Sequence, residues 1–146
     1  MAAAAWKVYN EAKKYLLTAD LDLNGGAVMM GVFKPSSNAS TFTLSTGASV
    51  TIPCSVGVLS QKKTLGSVTV TAGASAKVIR FDCADVVFTA SSASAFSVQY
   101  AVIYISGGKA LAWSKLSTSG FTVTAGNTLT VAINASGIFE LTGGVS

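Results

Sequence analysis

Phe96-Ser97-Val98-Gln99-Tyr100-Ala101-Val102-Ile103-Tyr104-Ile105 is the stretch that decides the fold. Every second residue (Phe96, Val98, Tyr100, Val102, Tyr104) is aromatic or β-branched, the period of a strand with one face against a core. The other face opens polar at Ser97 and Gln99 and turns apolar at Ala101, Ile103 and Ile105. Such a strand belongs in the middle of a sheet, covered on one side throughout and on both sides toward its C-terminal end. Nothing in it is suited to catalysis.

On its C-terminal side, Gly107-Gly108 turns the chain into Ala110–Leu116, where Leu111 alternates with Trp113. Phe121–Thr124, Thr128–Ile133 and Ile138–Leu141 follow as short strands. On its N-terminal side stand Val86–Thr89, a hairpin of Ser67–Thr71 with Ala76–Cys83, a second hairpin of Thr41–Leu44 with Ala48–Ile52, and a buried strand Ala27–Phe33. Between the hairpins, Ser55–Leu65 carries Gly57 and Gln61-Lys62-Lys63 and is expected to be an exposed, mobile loop. Ala5, Val8, Tyr9, Ala12, Tyr15 and Leu16 recur at helical spacing, which predicts an amphipathic helix over Ala2–Leu17. Its apolar arc either packs on the protein's own sheet or docks on a neighbouring subunit with Trp6 as anchor and Asn10 and Lys13 on the same flank.

Short strands, frequent turns and no βαβ rhythm predict a mainly β protein: an antiparallel β-sandwich, jelly-roll-like, with one N-terminal amphipathic helix. The chain is expected to be a single domain over 1–146, the helix within 1–18 and the sandwich over 19–146.

Half of the 146 residues are hydrophobic and only 11% are charged, where about a quarter is usual. The surface is therefore largely Ser, Thr, Ala and Gly. Such a surface costs little to desolvate and suits packing against another protein, although a plain Ser/Thr-rich sandwich would show it too. The net charge is +4, but the ten basic residues are scattered and include a single arginine. That argues against nucleic acid, whose partners concentrate arginine and lysine in one stripe. No run approaches the roughly 20 apolar residues of a membrane span. The opening Met-Ala-Ala-Ala-Ala-Trp-Lys lacks the cationic start and long apolar core of a secretory signal. Cys54 and Cys83 are accordingly expected to be free thiols in a reducing compartment.

There is no histidine, so the usual general base and the commonest transition-metal ligand are both missing. Asp82 and Asp85 are close in sequence, but a turn with an ion pair to Arg80 explains them better than a glycosidase pair. Cys83 has no histidine to take its proton. Asp20 and Asp22 lack the closing glutamate of a calcium loop. The expectation is no enzyme, no cofactor and no metal. Asn38 and Asn134 begin Asn-x-Ser sequons at expected turns, and outward-facing aromatics would be able to stack on sugars.

Several segments resemble a family of small structural virion proteins of tailed bacteriophages. They are Trp6-Lys7-x-Tyr9-Asn10-x-Ala12-Lys13, then Asp20-Leu21-Asp22-Leu23 with Val28–Phe33, then Phe81-Asp82-Cys83-Ala84-Asp85 with Phe88-Thr89-Ala90-Ser91. Gln99-Tyr100-Ala101-Val102-Ile103-Tyr104, Gly126-Asn127-Thr128-Leu129-Thr130 and Asn134-Ala135-Ser136-Gly137-Ile138-Phe139 complete the likeness. Phe88 stands where the family commonly has tryptophan, and Val56–Leu65 replaces a Gly-Tyr-rich turn. The resemblance implies a capsid cement or decoration protein on the outside of the assembled head, made in the bacterial host cytoplasm. It also implies the major capsid protein as partner, self-association as dimer or trimer, and no role for membrane or nucleic acid. A neck, tail or fibre adaptor and a carbohydrate-binding module are the alternatives. Expected contact residues are Trp6, Asn10 and Lys13 on the helix flank and Gln61, Lys62 and Lys63 in the middle loop.

Overall fold

The computed structural model describes residues 4–18, 23, 27–40, 59–72, 77–105 and 109–142. Among the described residues the protein is mainly β with one short helix. In chain order the elements are β1 (Lys7–Val8), α1 (Asn10–Leu17), β2 (Val28–Phe33), β3 (Leu59–Thr64), β4 (Thr69–Ala72), β5 (Val78–Asp82) and β6 (Val86–Thr89). β7 (Phe96–Val98), β8 (Tyr100–Ile105), β9 (Lys109–Lys115), β10 (Phe121–Val123), β11 (Thr128–Val131) and β12 (Phe139–Thr142) follow. The strands form a five-stranded sheet in the order β1-β9-β8-β2-β3, a three-stranded sheet β12-β5-β4, and the pairs β10-β7 and β11-β6. Every pairing is antiparallel.

β8 is the middle strand of the large sheet, and Tyr100 through Tyr104 are all buried. β2 and β9 flank it, and most of their residues are buried as well, so this sheet is covered on both faces at its centre. The β11-β6 pair behaves differently. Phe88 opposes Leu129 and Val86 opposes Val131, all buried, while Val87 and Thr89 point outward. Alternation of that kind marks a sheet with one face on the core. Phe33, Phe81, Phe88, Met30, Ile103 and Leu111 are the largest fully buried side chains of one continuous core. The Tyr104 hydroxyl is buried and has no hydrogen-bond partner among the described residues.

Three expectations need correction. The run Phe96–Ile105 is not one strand: it breaks at Gln99, β7 pairing with β10 and β8 with β2 and β9. Gln99 keeps its backbone in register, donating to Phe33 O at 2.8 Å and accepting from Leu116 N at 2.8 Å. Its side-chain amide turns to the following loop and donates to Thr118 O at 3.0 Å. A buried amide has to satisfy its donors, and here doing so ties the bend between two sheets to the 117–118 loop.

The N-terminal helix is shorter than expected. Lys7 and Val8 form a strand opposite Trp113 and Ala112, and Ala4 adds Ala4 N to Lys115 O and Ser114 Oγ to Ala4 O at 2.7 Å. Isolated short helices are marginal in water, whereas the open edge of β9 offers ladder hydrogen bonds at once. Tyr9 is still extended at φ −63°, ψ 142°, with no side-chain cap, and α1 starts at Asn10. From there the apolar arc packs on the protein's own sheet: Ala12 is fully buried against β9, and the buried Tyr9 donates its hydroxyl to Ala39 O at 2.7 Å.

The middle loop is also partly strand. Gln61-Lys62-Lys63 lie in β3, opposite Val32, Gly31 and Met30 of β2. The expected hairpin over 41–52, Cys54, the aspartates at 20 and 22 and the turns at 73–76 and 107–108 lie outside the described residues.

Candidate contact surfaces

The carboxylates nearest to forming a constellation are held as structural acceptors. Asp82 accepts from Cys83 N at 2.8 Å, and Asp85 accepts from Ile133 N at 2.8 Å. Arg80 does not pair with either, contrary to expectation. It sits opposite Glu140 in the β5-β12 ladder and binds it through Nη2 at 2.9 Å and Nε at 3.0 Å, with Nη1 on Ala135 O. A cross-strand partner in register wins over one displaced along the same strand. Among the described residues, no group of three His, Cys, Asp or Glu is placed to hold a metal.

Cys83 is a free, buried thiol. Burial first, then the nearby Asp82 and Asp85, push its pKa from the ordinary 9.0 up to about 12. The folded state therefore keeps a proton that the unfolded chain releases above pH 9. Stability should be level below pH 9 and fall between pH 9 and 12, at no more than roughly 1.4 kcal/mol per pH unit. Urea melts across that range check it, with Cys83→Ala expected to flatten the decline.

The residues expected to make contacts separate in space. Trp6 lies before β1, half-buried, and lines a cleft of about 420 Å³ with Ile133, Asn134, Phe139 and Glu140. Asn10 and Lys13 are exposed on α1, the Lys13 ammonium donating to Asn10 Oδ1 at 3.3 Å. Because the helix begins only at Asn10, Trp6 does not share their flank. Gln61 is half-buried and donates to Thr89 O at 2.9 Å. Lys62 and Lys63 are exposed, and as neighbours on a strand they project to opposite faces.

Two surface features escape a linear reading. The first is a separation of charge. The five strands of the large sheet carry Lys7, Lys62, Lys63, Lys109 and Lys115 and no carboxylate, while Arg80, Asp82 and Glu140 are the charged residues of the remaining strands. Register places Lys7, Trp113, Val102, Gly31 and Lys62 in one row straight across the sheet, with Lys115 two residues from Trp113 on the same face. The Lys7 ammonium stands 5.1 Å over the Trp113 ring, and Tyr100 meets that ring edge-on at 6.3 Å. Counting charge strand by strand, rather than along the chain, is the signal that would have found it.

The second feature is in the three-stranded sheet. All four residues of its edge strand β4, Thr-Val-Thr-Ala, are exposed. Register aligns Leu141, Ile79 and Ala72 across the sheet beside the Val70 row, and Val70, Ile79 and Leu141 are 47%, 45% and 49% exposed. β4 has no charge, no proline and no bulge, the devices that normally keep an open edge solitary. β3, by contrast, carries two lysines and β1 is only two residues long.

Compared with protein-family models, curated proteins and solved structures, the chain matches none.

Proposed function

We propose that the protein is a non-catalytic structural component of a bacteriophage virion, a cement that binds the outside of the assembled head as a homo-oligomer and bridges capsomers. Its large and small sheets are read as the walls of an antiparallel sandwich. The observation that carries the reading is the uncharged, exposed edge of β4 beside the apolar Val70, Ile79 and Leu141 positions. An edge of this kind is suited to strand addition, and a twofold pairing of β4 with its copy is self-complementary. A piece that binds the assembled shell and not its free subunits stabilises that shell by mass action, and an oligomer touching several subunits adds avidity.

Quantitative mass spectrometry of purified particles tests the role: hundreds of copies per head support cement, a handful support a neck, tail or fibre adaptor, and none ends the virion reading. Sedimentation of the isolated chain tests the edge. The wild type should self-associate and Val70→Lys should run as a monomer with unchanged melting, because a lysine on an exposed edge penalises pairing without touching the core.

The cleft beside Trp6 favours a second reading, a saccharide-binding module, since Trp6 and Phe139 line it together with the polar Asn134 and Glu140. Glycan-array binding lost in Trp6→Ala would support it over cement.

A further inference from the structure

We infer that the β1–β9 edge of the five-stranded sheet, where Lys7 and Lys115 stand beside Trp113, is the seat for an acidic protein surface. The inference rests on the proposed structural role only for which protein supplies that surface.

Lys7 and Lys115 are exposed beside Trp113 on one face, whereas Tyr100, Val102, Gly31 and Phe33, farther across that face, are buried. Within the described residues Lys7, Lys62, Lys63 and Lys115 form no ion pair, the salt bridge there being Arg80–Glu140 on the other sheet. Lys7 and Lys115 occupy diagonal cross-strand positions, close enough for like charges to repel. An opposing carboxylate surface would relieve that repulsion, and the carboxylate-free strands offer it no competitor. Trp113 is half-buried and held from two sides, by the Lys7 ammonium and the Tyr100 edge. It is thus an anchor whose ordering cost is already met, of the residue type most enriched at binding hot spots.

The same geometry argues for protein over nucleic acid. The large sheet has no arginine to fork onto phosphate. The edge offers two point charges, Lys7 and Lys115, whereas duplex DNA presents a charge about every 1.7 Å. A pair of point charges beside an aromatic anchor fits a few carboxylates on a folded surface.

Poly-L-glutamate is the probe. Titrated into the full chain at low salt, it should bind, shift the Trp113 indole N–H resonance, and bind progressively less as salt shortens the Debye length. The double variant Lys7→Glu/Lys115→Glu should lose about tenfold or more in affinity. Lys34→Glu/Lys77→Glu, an equal change of net charge off the sheet, should lose far less. Equal losses in the two variants, an unmoved Trp113 resonance, or tighter binding of oligo-dT at the same salt would each overturn the inference. If the double variant does not fold, the resonance shift in the wild type decides alone. Failure here with the chain abundant on particles would leave the cement reading standing, and success with the chain absent from them would do the reverse.

Discussion

Gly137→Ala should destabilise the protein by about 3 kcal/mol, and Gly126→Ala by about 1 kcal/mol. Both glycines have positive φ, +74° at Gly137 and +79° at Gly126, so both substitutions carry the left-handed penalty of an L-residue, on the order of 1–2 kcal/mol. Their surroundings separate them. A Cβ at Gly126 meets nothing within 4 Å, whereas at Gly137 it would lie 2.5 Å from Phe81 O and 2.9 Å from Arg80 Cγ. Phe81 O already accepts from Ile138 N at 2.9 Å, and Gly137 N donates to Asn134 O at 2.7 Å. A methyl group therefore has to displace backbone, pulling the turn into β12 away from β5 and weakening at least one buried hydrogen bond. For a chain of this length, 3 kcal/mol lowers Tm by about 10 °C. Urea melts of the two variants side by side are the check. Equal losses would mean that the 134–137 turn does not rest on β5.

Much of the sheet architecture was open to a sequence reading because two-residue periodicity survives whatever the topology. Tyr100 to Tyr104 declared a strand buried on both faces, and Leu129 and Val131 a strand buried on one, and burial in the structure follows both patterns. The misreadings occurred where a local pattern competed with a partner distant in the chain. Nothing in Trp6-Lys7-Val8 announces the open edge of β9, which takes those residues into a ladder before the helix can begin. Gln61-Lys62-Lys63 has the composition of a loop, and only β2 alongside makes it a strand. At Gln99 the alternation continues unbroken in sequence, while the strand partners change from β10 to β2 and β9.

The contact surfaces were less legible still, for a related reason. Lys7, Lys62 and Lys115 are far apart along the chain and gather on one face only through four successive pairings. The scatter that argued against a nucleic-acid stripe therefore conceals a pair of lysines brought together beside Trp113 at one sheet edge. Trp6 was chosen as an anchor on a helix flank, yet the residue that stands among the gathered lysines is Trp113, which in sequence looked like one more core position. Of the named contact residues, Lys62 alone falls on that face.

Phe81→Ala should cost about 4 kcal/mol, and Ile79→Ala, two residues away on the same face of the same strand, well under 1 kcal/mol. Phe81 is 1% exposed and its ring lies 5.3 Å from that of Phe139, tilted by 31°. Truncating it removes a buried aromatic, leaves a cavity that strand backbones cannot collapse to fill, and loses an aromatic pair. Ile79 is 45% exposed beside an equally open Leu141, so its loss deprives the monomer of little packing. The contrast measures where the core ends along one strand: the sheet formed by β4, β5 and β12 begins on the core at Phe81 and runs past it at Ile79. Denaturation at low protein concentration should give the two values above. Sedimentation should reverse their order, because Ile79 borders the β4 edge and its truncation should weaken self-association, whereas a folded Phe81 variant should associate as the wild type does. If Ile79→Ala instead destabilises the monomer by several kcal/mol, that end of the sheet is packed against the chain itself and is not available to a second copy.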